Sequence, residues 1–181
     1  DRAFGVDARS NYGDVEIASY ADINVSSSNY NAAGIRGLSE YYDVNIFNYG
    51  DVDVQAAGLA QGIVALSYYG NVGVRNEGDV TASSSGGYSQ AVALRSGAGY
   101  DAVLRNFGSI TAGSGNSLAV SITGGNGVIS NYGDISGGML TDAGDDYVRN
   151  YEGGRIFLSD DTIDLGGGYN YCLNEGRLYA D

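Results

Sequence analysis

One turn, Asn-x-Gly-x-apolar, returns along the whole chain, and a turn repeated at this spacing points to a fold built by repetition rather than a mixed globular core. It stands at Asn11-Tyr-Gly-Asp-Val15, Asn48-Tyr-Gly-Asp-Val52, Asn76-Glu-Gly-Asp-Val80 and Asn106-Phe-Gly-Ser-Ile110. It returns at Asn131-Tyr-Gly-Asp-Ile135 and Asn174-Glu-Gly-Arg-Leu178, with a longer copy at Asn150-Tyr-Glu-Gly-Gly-Arg-Ile156. Successive Asn residues lie 37, 28, 30, 25, 19 and 24 residues apart. Such variable spacing suits coils of one helix with loop insertions.

The residues around the turn carry the strands. Two positions before each Asn stand Ile46, Val74, Leu104, Ile129, Val148 and Cys172, with Arg9 the exception in the first copy. Four positions after it comes an apolar residue, as at Val15, Val52, Val80, Ile110, Ile135 and Leu178. One strand therefore enters the turn and another leaves, each turning alternate side chains inward. A further strand separates the turns: Ala32–Ser39, Ala60–Ser67, Ser89–Ser96 and Ser117–Gly124 align. This alignment sets Ile35, Ile63, Val92 and Val120 in one column, beside the small residues Gly34, Gly62, Ala91 and Ala119.

Three short strands per coil define an all-β, right-handed parallel β-helix of about six to seven coils. One continuous domain over residues 1–181 is expected, either a segment of a longer rod or a subunit that stacks end to end. The long first interval predicts a protruding loop or hairpin around Asp22-Ile-Asn-Val25, and the shortest interval, Asn131 to Asn150, leaves little room for a middle strand. Stacked Asn residues should form an amide ladder along the rod, as they do in cross-β arrays.

Composition narrows the function. The chain has 30 Gly, no Pro, no Trp, no His and a net charge of −13. No Lys occurs, so its nine cations are all Arg, scattered singly. Without basic clusters a nucleic-acid partner is not expected, and no apolar run is long enough to insert in a membrane as a helix. Lack of His and Lys removes the commonest proton-transfer groups, which argues against an enzyme.

These repeats resemble the passenger domains of autotransporters and related bacterial surface adhesins, in which Val-x-Asn-x-Gly-x-Ile coils alternate with Ala-x-Gly-Ile strands. The seven Asn turns and four middle strands carry the resemblance, with Gly144–Val148 and Asp160–Gly168 similar to passenger segments. The resemblance implies secretion, a place outside the cell or on its surface, and a non-catalytic adhesive or structural scaffold. A surface glycan or protein is the expected partner. Self-association through open helix ends, giving a filament, is one alternative; a polysaccharide-degrading β-helix using carboxylates is another.

The candidate residues fall into four groups. Asn11, Asn48, Asn76, Asn106, Asn131, Asn150 and Asn174 form the expected turn ladder, with Asp14, Asp51, Asp79 and Asp134 aligned three positions on. These carboxylates could serve as acid/base pairs, although a hydrated turn ladder explains them as well. Tyr12, Tyr49, Phe107, Tyr132 and Tyr151 follow the turn Asn and form a candidate binding edge, interrupted by Glu77 and Glu175. Asp142, Asp145, Asp146, Asp160, Asp161 and Asp164 are calcium candidates by residue type; otherwise no cofactor is expected. Cys172 sits in an apolar column and reads as a core residue.

Overall fold

The computed structural model describes residues 2–113, 117–158 and 161–180. Among the described residues, alternating apolar residues and regularly spaced turns give 21 short strands, three to a coil. Coil 1 comprises β1 (Ala3–Ser10), β2 (Val15–Ser19) and β3 (Ile23–Ser27), and coil 2 comprises β4 (Ala32–Ser39), β5 (Val44–Asn48) and β6 (Val52–Ala56). Coil 3 is β7 (Ala60–Ser67), β8 (Val72–Asn76) and β9 (Val80–Ser84); coil 4 is β10 (Ser89–Arg95), β11 (Asp101–Asn106) and β12 (Ser109–Ala112). Coil 5 is β13 (Leu118–Thr123), β14 (Asn126–Asn131) and β15 (Asp134–Ser136). Coil 6 is β16 (Gly138–Thr141), β17 (Tyr147–Asn150) and β18 (Arg155–Leu158), and coil 7 is β19 (Ile163–Asp164), β20 (Tyr171–Asn174) and β21 (Arg177–Ala180).

Each strand pairs in parallel with its counterparts one coil away, giving three seven-stranded sheets and a right-handed β-solenoid. Sheet one holds the first strand of every coil, sheet two the second and sheet three the third. The aligned column is realised as Ile35↔Ile63↔Val92↔Val120, all four fully buried. Val6 and Met139 extend it at either side. Such stacking satisfies the backbone donors and acceptors of every inner coil while like side chains cover one another inside.

Two expectations about coil length are corrected. Residues Ile23–Ser27 do not protrude; they form β3 and pair with β6 in register from Ile23↔Val52 to Ser27↔Ala56. The shortest interval does hold a middle strand, β16, because a single residue, Gly137, makes the corner between β15 and β16. Its φ of 120° lies in a region that side-chain-bearing residues rarely adopt.

Candidate binding surface

The corner between sheets two and three carries the amide ladder. Asn48 Nδ2 donates to Asn76 Oδ1 at 2.9 Å, Asn76 to Asn106 at 3.0 Å and Asn106 to Asn131 at 2.9 Å. Asn131 continues to Asn150 at 2.8 Å and Asn150 to Asn174 at 2.7 Å. The same Nδ2 groups also donate to the turn carbonyls two residues on, as from Asn48 to Gly50 and from Asn76 to Gly78. Asn48, Asn76, Asn106, Asn131 and Asn150 are buried, so their amides do structural work inside the corner.

Asn11 is not in this ladder, contrary to the expectation from its motif. β2 pairs with β5 so that Ser19, not Asn11, lies under Asn48. Asn11 directly follows Ser10, whose partner is Ser39, which places it at the corner between sheets one and two. Ser19 Oγ donates to the Ala21 carbonyl instead of upward, and buried Asn48 Oδ1 has no donor among the described residues. Replacing Ser19 with Asn should supply that donor, since an amide here can reach both Ala21 O and Asn48 Oδ1. We expect about 1 kcal/mol of added stability, the usual return for satisfying a buried acceptor. Urea denaturation should show a raised midpoint at unchanged m; an unmoved midpoint would mean that the orphan acceptor carries no cost.

The aspartates divide in the same way. Asp22, Asp51 and Asp79 form a ladder in which each Oδ1 accepts the backbone N–H of the next coil: Asp51 N at 3.0 Å, Asp79 N at 2.9 Å and Ser109 N at 3.2 Å. Asp134 belongs to the same edge and pairs with Arg155 one coil on. Asp14 belongs to the other corner, where it accepts from Asp43 N at 3.1 Å and Asp43 from Asn71 N at 2.8 Å.

The aromatic edge is likewise two ladders. Tyr20 stacks on Tyr49 with centroids 4.7 Å apart, and Phe107, Tyr132 and Tyr151 stack at 4.8 and 4.1 Å. Glu77 breaks this row, and the Arg75 guanidinium paired with it lies over Phe107. Tyr12 sits at the other corner, stacked with Tyr41, which stacks in turn on Tyr69. Within a ladder each inner ring has its faces covered by neighbours, so solvent meets edges and hydroxyl groups rather than flat faces. A hydrogen bond between phenols raises the Tyr132 pKa and lowers that of Tyr151, which the Arg149 charge also favours ionising.

Sequence reasoning missed Asp7 and Arg36. On the outer face of sheet one, Arg36 Nη2 donates to Asp7 Oδ2 at 2.6 Å and its guanidinium lies 3.8 Å from the centre of the Phe4 ring. The Arg36 hydrogen bond holds the Asp7 carboxyl down at about 2, against a partial desolvation that raises it. The signal was available: Asp7 and Arg36 are matching positions once β1 is aligned with β4.

Among the described residues, the calcium candidates do not gather at one point. Asp142 Oδ1 accepts from Gly124 N, Asp145 Oδ1 from Tyr169 N and Asp164 Oδ1 from Gly166 N. Buried Asp146 accepts from Gly127 N at 2.6 Å, while its Oδ2 and Thr141 Oγ1 lack partners among the described residues. Asp160 lies outside the described residues. Among the described residues, no three of His, Cys, Asp and Glu gather closely enough to hold one ion.

Cys172 does occupy the predicted column, opposite Val148. It is nevertheless exposed, on the outermost described strand of sheet two. Partial burial raises its pKa, which keeps the thiol protonated at neutral pH.

Among the described residues, no helix is long and apolar enough to cross a membrane. Compared with family models, curated proteins and solved structures, the chain matches none.

Proposed function

We propose that the chain is a non-catalytic structural and adhesive scaffold of an extracellular or cell-surface protein, of the kind its repeats resemble. The observation that carries this reading is how the polar side chains are used. The ladder Asn and Asp residues hold coil against coil, whereas the aromatic rims and corner loops face solvent. A rod of this kind offers a long surface of fixed spacing, on which many weak contacts add up with little ordering cost.

The reading is tested by incubating the chain with a panel of acidic and neutral polysaccharides, following binding and release of new reducing or unsaturated ends together. Binding without product is expected, weakened by at least about fivefold in a Tyr132→Ala, Tyr151→Ala double variant, as for loss of roughly 1 kcal/mol of contact. Product that vanishes in Asp51→Asn or Asp79→Asn would replace the scaffold by an enzyme.

A further inference from the structure

A shallow groove of about 250 Å³ opens on the outer face of sheet two, across coils 2 to 4. Its cause is one residue. Outward positions on this face form two columns, and in one of them Asn45, Gly73 and Val103 stand side by side. Gly73 leaves a gap between its larger neighbours. The second column, Phe47, Arg75 and Arg105, forms the wall of the groove.

The fold does not require glycine at position 73. Its φ is not in the left-handed region, and an added Cβ would meet only the Asn45 side chain, with Oδ1 at 2.7 Å. That contact is the end of a flexible side chain, which can turn away. The corner glycines Gly78 and Gly108 differ, because a Cβ there would strike the carbonyl oxygen of the preceding coil. A glycine inside a strand weakens it and often marks close approach of a ligand or another backbone. No other backbone covers Gly73 here.

The groups around the gap are chiefly hydrogen-bond donors. Arg105 is exposed and, among the described residues, has no ion-pair partner, although it stands directly beside Arg75. Arg75 commits Nε and Nη2 to Glu77, and its Nη1 has no partner among the described residues. Glu77 balances the charge of Arg75, so an anion entering the groove would pair first with Arg105. The Asn45 amide makes no hydrogen bond among the described residues, and Phe47 and Val103 supply apolar walls. Both edges of β8 are already paired, so an incoming peptide could gain no main-chain ladder.

From this arrangement we infer that the Gly73 groove binds one ring of an anionic saccharide, its carboxylate or sulfate on Arg105 and Arg75, its hydroxyl groups on Asn45, and its apolar face toward Phe47. This goes beyond the scaffold reading, for it needs neither the aromatic ladders nor a surface location.

Calorimetric titration of the full chain decides it, using a trigalacturonate, a sulfated disaccharide, neutral galactotriose and an oligoglutamate peptide as probes. At least one anionic sugar should bind, the tighter one identifying the group preferred, with galactotriose and the peptide at least about tenfold weaker. Gly73→Val and Arg105→Gln should each weaken that binding by about tenfold or more, while the melting temperature of Gly73→Val stays at or above that of the parent. Equal binding of galactotriose or the peptide, unchanged affinity in folded Gly73→Val, or no heat from either anionic sugar at about 10 mM would overturn the site. Should Gly73→Val not fold, Arg105→Gln decides alone, and retained affinity there overturns the site as well. Failure of these sugar titrations leaves the polysaccharide panel and its Tyr132, Tyr151 double variant as a separate measurement of the scaffold.

Discussion

Asn106→Ala should lower stability by about 3–5 kcal/mol, seen as a fall in melting temperature of roughly 6–20 °C. Four polar contacts meet at this buried amide: Oδ1 accepts from Asn76, and the two Nδ2 hydrogens are shared among Asn131 Oδ1, Gly108 O and Asp134 O. Alanine takes the Asn106 donor from Asn131 Oδ1 and Asp134 O and the acceptor from Asn76 Nδ2, while Gly108 O keeps the backbone N–H of Asp134 at 2.9 Å. Each such group costs about 1–3 kcal/mol, less where the corner can settle. Asn106→Asp should be at least as harmful, because a carboxylate would face the oxygens that Nδ2 now serves. The comparison that isolates the cause is Asn174→Ala, where the residue is exposed and accepts one ladder bond. About 1 kcal/mol or less is expected there, and equal losses at both positions would show that buried amide bonding is not what stabilises the corner.

Gly78→Ala should be as severe for a different reason. Its Cβ would run into the Gly50 carbonyl oxygen of the coil before, a backbone atom that cannot swing aside. Gly108 stands in the same relation to Gly78 and Gly133 to Gly108, so the crowding repeats from coil to coil. Relief requires separating two coils where Asn48 O accepts from Glu77 N at 2.8 Å and Val52 N donates to Asp79 O at 2.8 Å. We expect a loss of about 3 kcal/mol or more, read from urea melts, and soluble protein in low yield. If Gly78→Ala melts like the parent, the tight inter-coil approach at this corner is not needed.

Much of this architecture was legible because the solenoid repeats its demands. An inward residue must cover the inward residue of the next coil, so Ile35, Ile63, Val92 and Val120 align in sequence as they do in space. The error at Asn11 has an equally local origin. Both corners that flank sheet two use an acceptor side chain to hold the next coil, and both tolerate Tyr-Gly-Asp, so the same five letters fit either. Arg9 was the warning, since the true ladder position follows an inward apolar residue, as Ser19 follows Ile17. Placing Ser19 under Asn48 makes the first interval 29 residues, in keeping with its neighbours. The groove at Gly73 was not legible, because an outward gap depends on what stands in the adjacent coils, and a single glycine among 30 carries no mark of its own.

The amide ladder has a direction. Every rung donates an N–H to the Oδ1 of the rung that follows in the chain, from Asn48 through Asn174. A duplicated coil inserted along it would accept an N–H from the rung behind and donate one to the rung ahead, leaving the existing rungs as they were. Lengthening this protein by copying its own middle therefore requires no compensating change elsewhere, whereas reversing any one rung would set oxygen against oxygen on one side and nitrogen against nitrogen on the other.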